Sequence, residues 1–311
     1  MKTLLFGASG FVGSSVYLEL HRAGLNPVTV AAPRISSRAR SIQRATIDIQ
    51  TAPEYPEVRE QADDCDVMIN AAGLAQPLAK DLDTLYGANA IWPGILARAS
   101  GESGCRFIHV SSAAVQGTDQ LDETARYSPT SHYARSKTLG EMAIAQILPG
   151  NSTAFRPTSV HGASRSVTQQ LARLARSRWA FTADPGTQPT PQVHIRNVGS
   201  AIAFVTRWLG SSPQIVLQPS EGWTTASFLE VLGLGKKPKQ LPIHPALGPV
   251  LVSSAQRLGM SRAATQFRRF DLLLHGQEQH DKWLSEHGWV PVAGLSEWQA
   301  MAEHLQREGS R

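Results

Sequence analysis

The feature that most narrows the possible folds is a glycine loop set directly behind a short apolar run at the amino end. Lys2–Gly7 reads as a buried strand, Gly7-Ala-Ser-Gly-Phe-Val-Gly13 follows, and Phe11–Ala23 has the apolar spacing of a helix. A strand, a tight glycine turn and a helix in that order gather backbone amides and the positive end of the helix dipole at one spot, which suits a pyrophosphate. Gly7, Ser9, Gly10, Phe11, Val12 and Gly13 are therefore candidate cofactor contacts. The plain alternative is a flexible turn.

The alternation continues. Pro27–Ala32 reads as a second strand, Ala45–Ile49 as a short third, Asp66–Asn70 as a fourth, Arg106–Val110 as a fifth and Ser152–Arg156 as a sixth. Leu82–Ser100 and Thr130–Leu148 read as helices, the first kinked or restarted at Pro93. Apolar strands separated by helices predict a parallel sheet covered on both faces. The expected class is α/β, a doubly wound parallel (Rossmann) sheet with a smaller carboxyl-terminal substrate-binding cap. After Pro157 the texture changes: His161–Ser177 reads as a loop into a basic helix and Thr182–Pro191 as a loop. Gln192–Ile195 and Gln214–Gln218 read as late strands around a helix at Val198–Leu209. The dinucleotide-binding domain is expected over residues 1–160, with 191–218 returning to the sheet, and the cap over 161–190 and 219–311.

Composition removes several classes. A chain of 311 residues, 41% hydrophobic and 18% charged, can bury a core and is not disordered. Two cysteines, Cys65 and Cys105, make neither a disulfide framework nor a zinc site, and no metal is expected. No apolar run is long enough to cross a membrane, and the start lacks the apolar stretch of a signal peptide, so a reducing cytoplasm and no membrane partner are expected. The net charge of +5 suits an anionic small molecule better than nucleic acid, because the arginines are scattered and not interleaved with aromatics.

A second strand that ends in a carboxylate holds a bare adenosine ribose. Here it runs out as Val30-Ala31-Ala32-Pro33-Arg34, with Arg38 close behind. Two arginines and no acid favour NADP over NAD, unless both are solvated loop residues. Asp48 and Ile49, behind the expected third strand, are candidates for the adenine end; a helix cap or turn acid is the other reading of Asp48.

Tyr133-Ala-Arg-Ser-Lys137 places a phenol and an ammonium one helical turn apart on one face. A neighbouring cation favours the phenolate, so the tyrosine can exchange a proton with a carbinol oxygen. Upstream, the fifth strand runs into Ser111-Ser112 at the end where parallel sheets place ligands, and a serine there can hydrogen-bond the same oxygen.

With these residues in order, the chain resembles the extended short-chain dehydrogenase/reductases of the NAD-dependent epimerase/dehydratase family, over roughly Met1–Gly210. The marks are GASGFVG at Gly7–Gly13, DVMINAAG at Asp66–Gly73 and HVSSAAVQG at His109–Gly117. SHYARSK at Ser131–Lys137, FRPTSVHG at Phe155–Gly162 and VHIRNV at Val193–Val198 complete them. The resemblance implies Tyr133 as acid/base, Lys137 as its partner and ribose contact, Ser112 ahead of Ser111 as the catalytic serine, and Asn89 in support. It also implies that Ala71, Ala72 and Gly73 line the cofactor groove and that Arg156 and Pro157 flank the nicotinamide. The implied substrate is a nucleotide-activated sugar, epimerised or reduced at a keto carbon, and relatives often pair through the helices corresponding to Leu82–Ser100 and Thr130–Leu148, so a homodimer is expected. A non-sugar ketone and a non-catalytic NADP-binding sensor or assembly protein remain as alternatives.

The chain also departs from the family. Gln116-Gly117 and His161-Gly162 stand where Tyr-Gly is common, and Asn197 where an acid is usual. Ala113 and Ala114 replace the Asp-Glu of the dehydratases, so 4,6-dehydration is not expected. Arg173, with Arg176 and Arg178, could grip a nucleotide diphosphate or form a solvated face; Arg268-Arg269 are weaker candidates. His194 is either structural or a substrate contact. Trp223, Trp283, Trp289 and Trp298 read as packing residues.

Overall fold

The computed structural model describes residues 1–75, 81–118, 120–211, 213–244, 247–258, 267–268, 270–272 and 274–309. Its centre is a six-stranded, wholly parallel sheet. The strands are β1 (Thr3–Phe6), β2 (Val28–Val30), β3 (Val67–Asn70), β4 (Arg106–Val110), β6 (Ser152–Arg156) and β10 (Ile215–Leu217), in the spatial order β10-β6-β4-β3-β1-β2. β1 and β3 are paired Thr3 with Val67 through Phe6 with Asn70, and every residue of both is buried. Burial on both faces explains why these strands read as continuous apolar runs.

Helix α1 (Phe11–Arg22) packs on α8 (Ile195–Arg207) over one face. Leu5, Val16, Leu20, Ile108, Phe155, Ile202 and Val205 fill that core. The other face carries α2 (Ile42–Gln50), α3 (Tyr55–Ala62), α5 (Trp92–Ser103) and α6 (His132–Ile147) over Phe6, Met68, Phe107, Trp92 and Leu139. The outer side of α5 is covered by α3 and α2 of the same chain, and α2 also reaches α6. These are the helices expected to pair across a dimer, so part of that surface is already used within the chain.

The expected third strand at Ala45–Ile49 is instead the second half of α2. Ser41 caps it by accepting from the Arg44 amide, and Ala45 and Ile49 point inward one turn apart. The alternation Ala45, Ile47, Ile49 looks like a strand, but Ile47 is 50% exposed while its two neighbours are buried, which only helical spacing produces. The central sheet therefore ends at the short edge strand β2. Pro93 behaves as expected: α4 (Leu82–Tyr86) passes through a π turn, Gly87–Ile91, and α5 restarts with the proline in its first turn.

The late strand at Gln192–His194, β9, exists but joins β7 (Ser159–His161) in a separate two-stranded ribbon; only β10 returns to the central sheet. The loop expected from Thr182 begins later, because Phe181–Ala183 forms β8, paired with β11 (Lys239–Leu241). The cap packs α7 (Ser166–Arg176), α9 (Thr225–Leu232) and the terminal helix Leu295–Gly309 around Phe228, Leu229, Met301 and Trp298. It is tied to the sheet side by β12 (Glu278–His280), which pairs with β5 (Gln120–Asp122). Within the tie between cap and sheet, the Glu221 carboxylate accepts from the His194 amide at 2.8 Å, the Asn197 amide at 2.6 Å and the Trp298 indole at 2.6 Å. Trp223 and Trp298 belong to the cap core, Trp283 is buried, and Trp289 packs against the sheet core, as packing residues should.

Candidate active site

The glycine loop turns where the sequence places it. Gly7 has φ +83°, and a Cβ there would sit 2.5 Å from the Ala72 nitrogen, so the loop and the chain leaving β3 touch backbone to backbone. Gly10 caps α1 without a side-chain hydrogen bond, which leaves the amides of the first turn open to an anion. A cavity of about 430 Å³ opens beside this loop, lined by Ala8, Ser9, Ser14, Tyr17, Leu18 and Thr29.

The carboxyl ends of β3 and β4 meet the first turns of α6. Ser131 caps α6 by accepting from the Ala134 amide, which sets the helix so that Tyr133 and Lys137 share a face. Lys137 is buried, and its Nζ donates to the Val110 carbonyl oxygen at 2.9 Å. Burial lowers its pKa to about 8, opposed by the Glu141 charge. A Cβ on Gly73 would lie 2.8 Å from Asn89 Oδ1 and 3.1 Å from Lys137 Nζ, so the ammonium reaches the mouth of the groove beside Ala71, Ala72 and Gly73.

Asn89 acts through its neighbours. Its Oδ1 accepts from the Leu74 amide at 2.9 Å, and its Nδ2 donates to the Leu74 carbonyl and to Ser136 Oγ, each at 3.0 Å. It stands in the π turn and clamps the chain after β3 to the helix that carries Tyr133. Ser112 caps the short turn Ala113–Val115, its Oγ accepting from the Ala114 amide at 3.2 Å. With that lone pair engaged, the hydroxyl hydrogen is left to donate elsewhere. Ser111 is buried, with no partner for its hydroxyl among the described residues. The Ser111 amide bonds the Phe155 carbonyl and the Ala113 amide bonds the Pro157 carbonyl, which fixes the serine loop against β6.

Other candidates fall elsewhere. Ile49 is fully buried in the core beneath Gly94 and cannot meet a ligand. Asp48 accepts from Ser37 Oγ at 2.6 Å and pairs with Arg44 at 3.0 Å, so it braces the segment after β2. Arg156 is fully buried; its guanidinium bonds Glu141 through Nε and Nη2 and the Thr124 carbonyl through Nη1. A charge at that depth needs a partner, and Glu141 takes the hydrogens a cofactor would have used. Arg38 lies 3.5 Å from Asp83 and is otherwise in solvent, whereas Arg34 is exposed with no ion-pair partner among the described residues. Arg173 is exposed on α7. His194 caps α8, accepting from the Arg196 amide, and packs edge-on against Trp298; burial lowers its pKa to about 4. Of Arg268 and Arg269, the first pairs with Asp271 at 3.2 Å and the second lies outside the described residues.

Sequence reasoning passed over Asn70 and His109, paired across β3 and β4. The Ala72 amide can only donate to Asn70 Oδ1, so Asn70 Nδ2 faces His109 Nδ1 at 3.1 Å and that nitrogen must accept. The imidazole is thereby a neutral Nε2–H tautomer. Complete burial first, then the Lys137 charge, holds its pKa well below the usual value. The signal was a polar residue in each of two buried strands.

A parallel sheet with this loop, strand-end serines and a buried lysine one turn after a tyrosine defines the short-chain dehydrogenase/reductase class of Rossmann folds. The chain belongs to the NAD dependent epimerase/dehydratase family, whose pattern matches residues 3–216. It is 31% identical over 214 residues to a dTDP-4-dehydrorhamnose reductase of Burkholderia thailandensis, covering 66% of each chain. It is 29% identical over 213 residues to a 4-hydroxy-2-methyl-3-oxo-4-farnesyl-3,4-dihydroquinoline-1-oxide ketoreductase of Stigmatella aurantiaca, covering 64% of this chain and 62% of that one. The chain spans 46% to 66% of the lengths of the curated relatives it matches. Among solved structures, a dTDP-4-dehydrorhamnose reductase of Bacillus anthracis in complex with NADP superposes with a TM-score of 0.63 at 18% identity, covering 99% and 100% of the two chains. A UDP-glucuronic acid 4-epimerase of Bacillus cereus in complex with NAD superposes with a TM-score of 0.65 at 16% identity, covering 99% of each.

Proposed function

We propose that the protein is an NADP-dependent oxidoreductase acting on a keto or carbinol carbon of a nucleotide-activated sugar, as a reductase ahead of an epimerase. The observation that carries the reading is Lys137: a buried ammonium, anchored on the Val110 carbonyl, at the mouth of the glycine-loop groove and one turn from Tyr133. The open first turn of α1 and the backbone contact of Gly7 with Ala72 fit a dinucleotide pyrophosphate, and a bound nicotinamide would supply the hydride.

The chain's own residues then act at the substrate oxygen. Tyr133 donates its phenolic proton as the carbonyl becomes a carbinol, and takes it back in the reverse direction. Lys137 stabilises the phenolate, and its remaining hydrogens meet the ribose hydroxyls. Ser112, its lone pair engaged by Ala114, donates to the same oxygen. Arg34, the arginine after β2 with no acid beside it, reads the 2′-phosphate, and this places NADP ahead of NAD. An exchangeable NADP in turn favours a reductase, since an epimerase recycles its cofactor in place. The substrate lies between sheet and cap in a homodimeric cytoplasmic enzyme.

A second reading, a non-sugar ketone as substrate, is favoured by the similarity to the Stigmatella aurantiaca ketoreductase, whose name describes a farnesylated quinoline oxide. One protocol separates the two. The purified protein is denatured, any released nucleotide is identified, and NADPH oxidation is then followed with 4-keto sugar nucleotides and with apolar ketones. Tyr133→Phe should lose turnover and keep nucleotide affinity. Stoichiometric NAD in the purified protein would refute the role of Arg34, and full activity of Tyr133→Phe would refute the mechanism.

A further inference from the structure

The sheet brings together two cysteines that stand far apart in the chain. Cys65 lies between the end of α3 and β3, and Cys105 between the end of α5 and β4. β3 and β4 run parallel and adjacent, with Val67 opposite Arg106, so the two approaches to the sheet meet at its amino-terminal edge. Backbone bonds fix each turn. The Cys65 amide donates to the Ala62 carbonyl at 3.1 Å. Gly104, with φ +73°, turns the chain out of α5, and Asn151 Nδ2 donates to the Cys105 carbonyl at 3.1 Å. Both cysteines are free thiols, and the Cys105 thiol donates to Cys65 Sγ at 2.9 Å.

The two sulfurs are not equivalent. The bond from Cys105 draws the Cys65 thiol below its usual pKa, against the cost of burial, and the Leu4 and Val67 amides add to the effect. The same bond, together with burial, pushes the Cys105 thiol up. Cys65 is 8% exposed and Cys105 1% exposed, so the sulfur with the greater thiolate character is also the one nearer to solvent. The exposed carboxylates Asp63, Asp64 and Asp66 flank that opening, which favours a small uncharged oxidant over an anionic one.

We propose that Cys65 and Cys105 form a peroxide-responsive dithiol, in which Cys65 is the attacking sulfur, Cys105 the resolving one, and the product a reversible disulfide within the chain. The Cys65 thiolate attacks one oxygen of hydrogen peroxide; the S–O bond forms, the O–O bond breaks and the departing hydroxide leaves as water on taking up a proton. Cys105 then attacks the sulfenic sulfur; the S–S bond forms, the S–O bond breaks, and a second water carries off the hydroxyl with the Cys105 proton. The dithiol loses two electrons and the peroxide gains them. A dithiol reductant reverses the bond by exchange. The bridge closes a loop of about 40 residues that includes Gly73 and Asn89, yet it sits at the opposite end of β3 and β4 from the groove. Oxidation therefore staples this part of the sheet without entering the catalytic site, and the inference stands whatever the substrate.

The test is a thiol count on the full chain. The reduced protein is treated with hydrogen peroxide, the excess is destroyed with catalase, and thiols are counted after unfolding in guanidinium. Two thiols should fall to none, the mass of the monomer should drop by two hydrogens, and dithiothreitol should restore both. The oxidised form should unfold at higher urea, its unfolding constant lowered on the order of a hundredfold to a thousandfold. In Cys105→Ser, Cys65 should stop at the sulfenic acid, which dimedone captures. In Cys65→Ser, Cys105 should keep its thiol under the same peroxide. The parent count decides the matter even if a variant does not fold, and no readout depends on nucleotide or turnover. Two thiols surviving peroxide, a sulfinic acid at Cys65 beside a free Cys105, or a bond between two chains would overturn the proposal.

Discussion

Replacing Lys137 by methionine should make the ligand-free protein more stable while abolishing turnover. The lysine is completely buried and its pKa falls from 10.5 to about 8, mainly through burial. At about 1.4 kcal/mol per pH unit, that difference corresponds to about 3 kcal/mol of destabilisation at pH 7, where the lysine is charged in both the folded and the unfolded chain. Methionine removes this cost and also the hydrogen bond to the Val110 carbonyl, worth about 1 kcal/mol. The net gain is about 2 kcal/mol at pH 7. Its pH dependence is the sharper part. Below pH 8 the cost is complete. Between pH 8 and 10.5 the folded form has already shed its proton while the unfolded form has not, so the parent protein gains stability as pH rises. By pH 9.5 the cost has fallen to about 1.4 kcal/mol, and the advantage of the variant should vanish. Urea unfolding of both proteins without nucleotide, at pH 7 and 9.5, measures this. A variant less stable than its parent at pH 7, or a difference that ignores pH, would show that the ammonium is not held at a cost.

Arg34→Ala should weaken NADPH binding about tenfold or more and leave NADH unchanged, as read by nucleotide fluorescence titration. Ile49→Ala should cost about 2 to 4 kcal/mol in urea unfolding through the cavity left beneath Gly94, yet leave nucleotide affinity intact, because the side chain belongs to the core. Glu141→Gln should destabilise the fold by about 3 to 5 kcal/mol by stranding the buried Arg156 guanidinium, and thermal unfolding would report it.

The parts of this site that the sequence discloses are local. The Gly7–Gly13 loop and the Tyr133–Lys137 turn are each determined within a few residues, so spacing alone places them. The segment at 45–49 misleads because alternation and helical spacing coincide over five residues, and the Ser41 cap that separates them lies outside that window. Arg156 shows the opposite difficulty. Its motif position is legible, but its buried partner Glu141 sits on another element, and only the three-dimensional pairing removes it from the cofactor. Asn70 and His109 are joined by strand register, and Glu221 to Trp298 by cap closure; neither link leaves a periodic trace along the chain.

The Glu221–Trp298 contact also imposes an order in time. All six strands of the central sheet have been synthesised once Leu217 is made, and the glycine loop, Tyr133 and Lys137 lie well ahead of it in the chain. The cap cannot close until Trp298 arrives to supply its indole hydrogen. At elongation speeds of about 5 to 20 residues per second that interval is on the order of ten seconds. Through it, a nascent chain can present its dinucleotide groove before the wall that encloses a substrate exists. A chain released early, short of Trp298, would keep the groove and leave the Glu221 carboxylate without one of its donors, a lesion that proteolysis can recognise.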